Sequence, residues 1–563
     1  MNGEEKKGYF RFKGDVHRDN ILVAKTLGET VGRSLGPRGM KKLLIDSLGY
    51  YVVSSDGARM LECMSLWHPV AKIMINAALV QKKSMGDGSI SVIILISELL
   101  KQAEALLEQN FHPMSIVNGY EEASREVQKI LDEISVEIDV SDKEMLKNVA
   151  FTSLRSKFDE IESRILAEIV TDSIEQMAKR NSILDFDLDQ IHIVKKPSGS
   201  IIESSLFEGI VLDETVTHPR MPRTVKDARI AVLACPLEIE RFEHMPPSVR
   251  GTININSPEQ FESYLVEENR IIENWVKRIV SSGATVVFCK KRINDLVKYR
   301  LAKKGIMAVT LWRYSAKDKY LARIARDCGA NIVSNLQDLE AKDLGYAESV
   351  REREVSSSKV IFIEGCRNPA SISLIIRGLS KELIDDAERA VLGSIHSVRN
   401  LFLCNRALAG GGAAFIELRE RLNQFSLEFD TREQISIGAF ADAMRAIPET
   451  LIRSTGLDII DNMSLLTSRH HEAESPWEGI DVIEKRVSDM MTAQVIEPLL
   501  PLKQVISSAS ETAIMILRAD RIMNRKDESE SIPDDLPGKQ LPGFLSAGHR
   551  PEFKGWEKDH TVF

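Results

Sequence analysis

Met85-Gly86-Asp87-Gly88-Ser89-Ile90-Ser91-Val92 places an acidic residue between two glycines at the start of an apolar segment. Ile93, Ile96, Leu100, Ala103 and Leu107 follow at steps of three or four, which predicts a helix with one apolar stripe. The first turn of such a helix leaves backbone N–H groups without intrahelical acceptors, and they point back toward the glycines. That terminus suits an anion, and Asp87 stands where a carboxylate could hold Mg²⁺ against a phosphate. An acidic turn ahead of a core helix reads the same way in isolation, so the rest of the chain has to decide.

Two further glycine turns precede it. A helical pattern through Ile21, Leu22, Ala24, Leu27, Val31 and Leu35 runs into Gly36-Pro37-Arg38-Gly39. A short strand, Tyr51-Val52-Val53, ends at Ser54-Ser55-Asp56-Gly57, where Asp56 is a turn former, an N-cap or an exposed carboxylate. A helix from Ala58 to about Lys83, broken at Pro69, then reaches Gly86. Glycine turns in series, each closing an apolar element, are what a phosphate pocket built from several loops requires. Gly410-Gly411-Gly412 opens one more helix far along the chain.

Length and composition set the frame. At 563 residues the chain is too long for a single core. Its 83 acidic against 74 basic residues argue against a general nucleic-acid binder. The six cysteines form no CxxC pair, so reduced thiols in an intracellular, cytoplasmic protein are expected. Apolar runs such as Val92–Ile96 are far short of a membrane span. No HExxH, serine nucleophile elbow or Walker lysine motif occurs, and His470-His471 read as part of a polar loop with Glu472 and Glu474.

Between about 223 and 366 short β-rich runs alternate with helical stretches, an α/β texture. Set into it, Glu238 to Arg270 carries Phe242, Met245, Val249, Ile253, Ile255, Phe261 and Leu265 among charges, which suits a protrusion or contact surface better than a core. Residues 374–403 and most of the chain from 414 to 522 read as helix, and the charged, proline-containing tail from Asn524 as disordered or weakly ordered.

Leu35-Gly36-Pro37-Arg38-Gly39-Met40, Ser55-Asp56-Gly57, Gly86-Asp87-Gly88-Ser89 and Gly410-Gly411-Gly412-Ala413 come in the order found in group II chaperonins, most closely the thermosomes. Thr152-Ser153-Leu154, Cys235-Pro236-Leu237-Glu238, Asp343-Leu344-Gly345-Tyr346, Glu364-Gly365-Cys366, Ile447-Pro448, Gly456-Leu457-Asp458 and Ile496-Glu497-Pro498 extend the resemblance over residues 8–523.

The resemblance implies a multidomain α and α/β fold. A helical equatorial domain would span 1–146 and 403–523, a small intermediate hinge domain 147–217 and 369–402, and an α/β apical domain 218–368. The protrusion 238–270 would be a lid, and 524–563 a tail. It implies subunits of a double ring, identical or homologous, that enclose non-native protein clients, with no nucleic-acid or membrane partner. It also implies ATP/ADP and Mg²⁺ as ligands, with K⁺ as a further candidate. Leu35, Gly36 and Pro37 would wrap the phosphates, Asp87 would ligate Mg²⁺, and Gly86, Gly88, Ser89, Ile90 and Ser91 would form the phosphate loop. Gly411, Gly412 and Glu497 would approach ribose and base, Lys157 would sense the terminal phosphate, and Asp56 would be one of two carboxylates acting on water.

The chain departs from the family at the second carboxylate. With Arg377-Gly378, Glu388-Arg389 and Gly410-Gly411-Gly412 as anchors, that position falls on Gly393. Loss of such a base typically costs about 10²–10⁴ in rate. Asp385 and Asp386 lie about two helical turns upstream, on the order of 10 Å. The family's Gly-Asp-Gly-Thr-Thr-Thr reads Gly-Asp-Gly-Ser-Ile-Ser here, Ser55 replaces an asparagine, and Arg59 replaces a threonine. Binding of Mg·ATP with slow or absent hydrolysis is the expectation, and a regulatory ring member that co-assembles with hydrolysing subunits is the alternative.

Overall fold

In a computed structural model of the chain the described residues are 16–520, apart from 46–48, 50, 65, 181–189, 240–256, 312–316, 356–357, 369–370, 431 and 474. The tail from 524, and Phe242, Met245, Val249, Ile253 and Ile255 of the protrusion, therefore lie outside the described residues.

In chain order, α1 (Val16–Gly32) is followed by a hairpin of β1 (Lys42–Ile45) and β2 (Tyr51–Ser54), then α2 (Gly57–Cys63), α3 (Pro69–Met85), α4 (Ser89–Glu108) and α5 (Pro113–Ile134). β3 (Val136–Glu137), α6 (Lys143–Arg155), α7 (Glu160–Arg180), β4 (Ile191–Pro197), β5 (Ser205–Glu208) and β6 (Ile210–Leu212) come next. The α/β stretch holds β7 (Thr224–Leu233), α8 (Pro258–Ser282), β8 (Val286–Cys289), α9 (Asp295–Lys303), β9 (Met307–Thr310), α10 (Lys317–Cys328), β10 (Ile332–Val333), β11 (Gly345–Val355) and β12 (Ser358–Cys366). β13 (Ile372–Gly378), α11 (Lys381–Cys404), β14 (Arg406–Ala409), α12 (Ala413–Ser426), α13 (Arg432–Ala443), α14 (Ala446–Thr455) and α15 (Ile459–Ala473) lead to β15 (Glu478–Asp481), β16 (Arg486–Asp489), β17 (Ile496–Pro498) and α16 (Leu499–Leu517).

These elements gather around three main hydrophobic cores. The largest is helical and joins α1 to α5 with α12 to α16, so both ends of the chain build it. At its centre α4 buries Val92, Ile93, Ile94, Leu95 and Ile96 together. The expected single stripe is thus an understatement: a helix apolar on all sides is a core helix, packed here on α1, α3, α13 and α16. The second core lies under a seven-stranded mixed sheet, ordered β6-β12-β11-β7-β8-β9 with β10 paired to β7. Its strands β7, β8, β9 and β10 are parallel, while β11, β12 and β6 run antiparallel. The third core combines α6 and α7 with α11 and the sheet β4-β13-β5.

Three expectations are corrected. Leu374–Gly378 is strand β13, paired in parallel with β4, not helix. A short buried apolar run has no period that separates the two. The supposedly helical C-terminal stretch contains the β15–β16 hairpin and β17, which pairs with β14. His470 and His471 sit in α15, not in a loop, and His470 is buried, with Nε2 2.7 Å from Glu478 O and Nδ1 3.4 Å from Glu417. It ties α15 to α12 and to the hairpin. In the protrusion, the described residues include the first half of α8, where Phe261 (51%), Tyr264 and Val266 (63%) are exposed beside Leu265.

Candidate functional site

Gly86 and Gly88 both have left-handed backbone, φ 82° and 90°. Gly86 caps the C-terminus of α3 by donating its N–H to Lys82 O at 2.9 Å, and Gly88 is the N-cap of α4. Only a residue without Cβ takes both places at no strain. The turn is held from outside: Gln81 Nε2 donates to Asp87 O at 3.1 Å and to Pro501 O at 3.2 Å. Asp87 Oδ1 accepts from Gly88 N–H at 2.8 Å. No side chain caps α4, so the N–H groups of its first turn face outward.

They face a cavity of roughly 240 Å³. It brings together Leu35, Gly36, Pro37, Asp56, Asp87, Gly88, Ser89, Ile90, Ser91, Lys157, Gly411, Gly412 and Glu497, residues up to about 460 positions apart. Gly86 and Gly393 stand behind the lining. Gly412, φ 81°, is the N-cap of α12 and also lacks a side-chain cap, so a second helix start opens on the same space. A Cβ at Gly411 would sit 2.8 Å from Ile480 O, and one at Gly412 3.2 Å from Pro448 Cα. The close backbone approach there belongs to the β15 hairpin and α14, which motif reading did not place. Ile447, Leu451, Val482 and Leu502 give the cavity an apolar wall opposite the polar loops.

Three buried polar atoms in this lining, Ser89 Oγ, Ser153 Oγ and Lys157 Nζ, make no hydrogen bond among the described residues, and Lys157 has only a loose ion pair with Asp56 at 3.7 Å. Buried donors left open in a cavity rimmed by free backbone N–H groups fit a bound anion of several oxygens. Among the described residues no cluster of three or more His, Cys, Asp or Glu could hold a metal by itself. Asp87 alone suits Mg²⁺, which keeps waters and phosphate oxygens as its other ligands. The donor set therefore fits a magnesium–phosphate group.

Electrostatics divide the cavity. Asp56 is buried (4% exposed) as the N-cap of α2, its Oδ1 accepting from Arg59 N–H at 3.0 Å. Burial alone would raise its pKa, but Lys82 Nζ at 3.0 Å and Lys157 Nζ at 3.7 Å outweigh this and hold the carboxyl well below the usual range. Burial, reinforced by Lys82, pushes the Lys157 ammonium down. On the far side Glu497 is half-buried in the lining, and its loss of water, with Asp87 nearby, raises its carboxyl to about 7.

α11 closes the remaining side. Asn400 Nδ2 donates to Met85 O at 3.1 Å, and a Cβ at Gly86 would overlap His396 Cβ. A Cβ at Gly393 would point into the cluster, 3.5 Å from Lys82 Nζ and 3.8 Å from Lys157 Nζ, with Gly86 O at 2.9 Å. The position aligned with the family's second carboxylate thus faces the polar cluster and carries no side chain. Asp385 is paired with Lys195 at 2.8 Å, and Asp386 with Arg389 and Ser54, so neither takes its place.

The sequence profile of the TCP-1/cpn60 chaperonin family matches residues 27–527. Thermosome subunit beta of Thermococcus kodakarensis is 41% identical over 519 residues, covering 92% of this chain and 93% of the relative. The thermosome subunit of Pyrococcus horikoshii is 40% identical over 519 residues, with the same coverage of both chains. Thermosome subunit alpha of Archaeoglobus fulgidus is 38% identical over 536 residues, covering 95% and 96%. With likeness of this depth along nearly its whole length, and both chain ends folded into one helical core, the chain belongs to the TCP-1/cpn60 chaperonin family, as a group II chaperonin subunit.

Proposed function

We propose that this subunit binds Mg·ATP in the α4 cavity, cleaves it slowly or not at all, and works within a chaperonin ring that encloses non-native protein. The observation that carries the reading is a contrast: open donors on Ser89, Lys157 and the first turn of α4 line the cavity, while behind that lining position 393 is a glycine. Ser89, Ser91 and the N–H groups of α4 would bind the phosphates, Gly411 and Gly412 would lie against the ribose, and the apolar wall would take the base. Lys157 would meet the terminal phosphate. Asp87 would hold Mg²⁺, which when bound neutralises charge on the phosphate oxygens. Asp56 is left as the one carboxylate near the attacking water, and its ion pairs keep it ionised. The exposed apolar residues of α8, Phe261 and Val266 among them, support a contact surface for clients or a lid.

A glycine at 393 also favours a second reading, in which the subunit is a regulatory member of a ring whose other subunits hydrolyse ATP. The experiment is the purified protein, followed by nucleotide binding, phosphate release and negative-stain imaging. Rings that bind Mg·ATP in the micromolar range without matching phosphate release are expected. Brisk turnover dependent on Asp87 overturns the silent site, and rings seen only after co-expression with a second subunit select the regulatory reading. Protease should cut within 238–270 in the open ring and be blocked on closure, whereas equal cutting in both states removes the lid.

A further inference from the structure

Lys82 lines the cavity although no motif singles it out. It lies in the last turn of α3, four residues before the turn glycine, and its ammonium crosses to the Asp56 carboxylate at 3.0 Å. Three facts make this more than a surface ion pair. Asp56 is buried, Lys82 is largely enclosed (20% exposed), and the pair is shared with a third group, the Lys157 ammonium at 3.7 Å. Both Asp56 oxygens are occupied, Oδ1 by Arg59 N–H and Oδ2 by Lys82. The same ammonium lies 3.5 Å from the point where a Cβ at position 393 would stand. One cation therefore commands both places from which a carboxylate could act on water. The other charged or titratable groups facing this cluster are Asp87 from the turn and His396 and Arg399 from α11.

We infer that Lys82 is a positioning residue that silences hydrolysis a second time, by fixing Asp56 in an ion pair, and that a carboxylate restored at 393 would be captured by the same ammonium. The inference rests on the nucleotide reading above and deepens it. A carboxylate that accepts from an ammonium and a backbone N–H is fixed in place, and its proton affinity falls below what a base needs. Gly393→Asp alone therefore adds a fourth charged group to an existing ion cluster instead of a free base. It also sets a Cβ 2.9 Å from Gly86 O, so α11 must give way slightly.

The test compares phosphate release at saturating Mg·ATP for wild type, Lys82→Gln, Lys82→Arg, Gly393→Ala, Gly393→Asp and Lys82→Gln/Gly393→Asp, each with fluorescent-nucleotide affinity and a pH profile. Gly393→Ala reports the steric effect of a Cβ alone. Expected are less than about threefold gain for Gly393→Asp, none for Lys82→Arg, and at least about 30-fold for the double variant, within the range a general base contributes. In the double variant the rate should fall on the acid side as the freed Asp56 takes up a proton, a limb a merely structural lysine would not create. Gly393→Asp matching the double variant within twofold overturns the inference, and so does a double variant that binds nucleotide with wild-type affinity yet stays silent. A nucleotide-free cycle of Asp56→Asn and Lys82→Gln on the melting temperature decides the ion pair separately. Losses that fail to add support it, and additive losses overturn it. If wild-type protein binds no Mg·ATP, the nucleotide reading fails and this cycle alone judges Lys82.

Discussion

The two sides of one cavity have diverged. On the α4 side every element of a phosphate cradle is present: paired left-handed glycines, an uncapped helix start, Asp87 held by Gln81 through the backbone, and open donors on Ser89 and Lys157. On the α11 side position 393, which faces the Lys82–Lys157 cluster, carries no side chain, and a lysine from α3 has paired with the Asp56 carboxylate. The lesson is that holding and cleaving are separable. Holding depends on backbone geometry, which the core imposes. Cleaving depends on one or two side chains, which can change without disturbing the fold.

The largest blow to the holding side is Gly86→Ala. It forces a Cβ onto left-handed backbone and into His396, so a loss of about 4 kcal/mol in denaturant unfolding is expected, whereas Gly438→Ala inside α13, with open space at its Cβ, should instead gain up to about 1 kcal/mol. Next is Asp87→Ala, which removes the carboxylate assigned to Mg²⁺ and should weaken Mg·nucleotide binding on the order of 100-fold while barely changing metal-free nucleotide binding. Equal losses with and without Mg²⁺ would show Asp87 to be a loop former only.

Glu497 tests the far wall. With its carboxyl raised from 4.5 to about 7, the folded protein keeps a proton that the unfolded chain has lost in that interval. Stability of the nucleotide-free protein should therefore fall as pH rises from about 4.5 to about 7, and level off above. The drop should be about 2 kcal/mol, once the side chain's contact with solvent in the cavity is allowed for. Glu497→Gln should flatten that slope, and an unchanged slope would place the titration elsewhere. The smallest effect is Ile90→Thr, which returns a hydroxyl to the loop. Ile90 packs on Gly57, so the exchange should shift nucleotide affinity by less than about fivefold, and a larger gain would mean the hydroxyl meets a phosphate directly.

Much of this cavity was legible in the sequence because it is made of glycines. Gly36, Gly86, Gly88, Gly411 and Gly412 mark places where φ is positive or backbone must approach backbone, and those demands are local. What stayed hidden is what the fold decides from a distance. Strand β13 hid in an apolar run of ambiguous period, and the β15–β16 hairpin in two four-residue strands. His470 looked solvated because its partners, Glu417 and the Glu478 carbonyl, come from other elements. Lys82 is the sharpest case: by sequence it is half of an exposed-looking Lys82-Lys83 pair in a helical last turn, a common place for cations. Nothing local tells that Asp56, 26 positions earlier, waits at its tip.

The seam between α11 and the Gly86 turn has a mechanical consequence. Backbone meets backbone there, with Asn400 gripping Met85 O and no side chain at either 86 or 393 to act as a cushion. Such a joint has little compliance, so a small displacement of the turn is passed to a 24-residue helix that ends against the β4-β13-β5 sheet. By reciprocity, whatever moves that sheet alters the turn by the same free energy. Under the proposed function, in which the nucleotide is held and little spent, the ligand would be a gauge of load, its residence time reporting how the rest of the assembly is pulling.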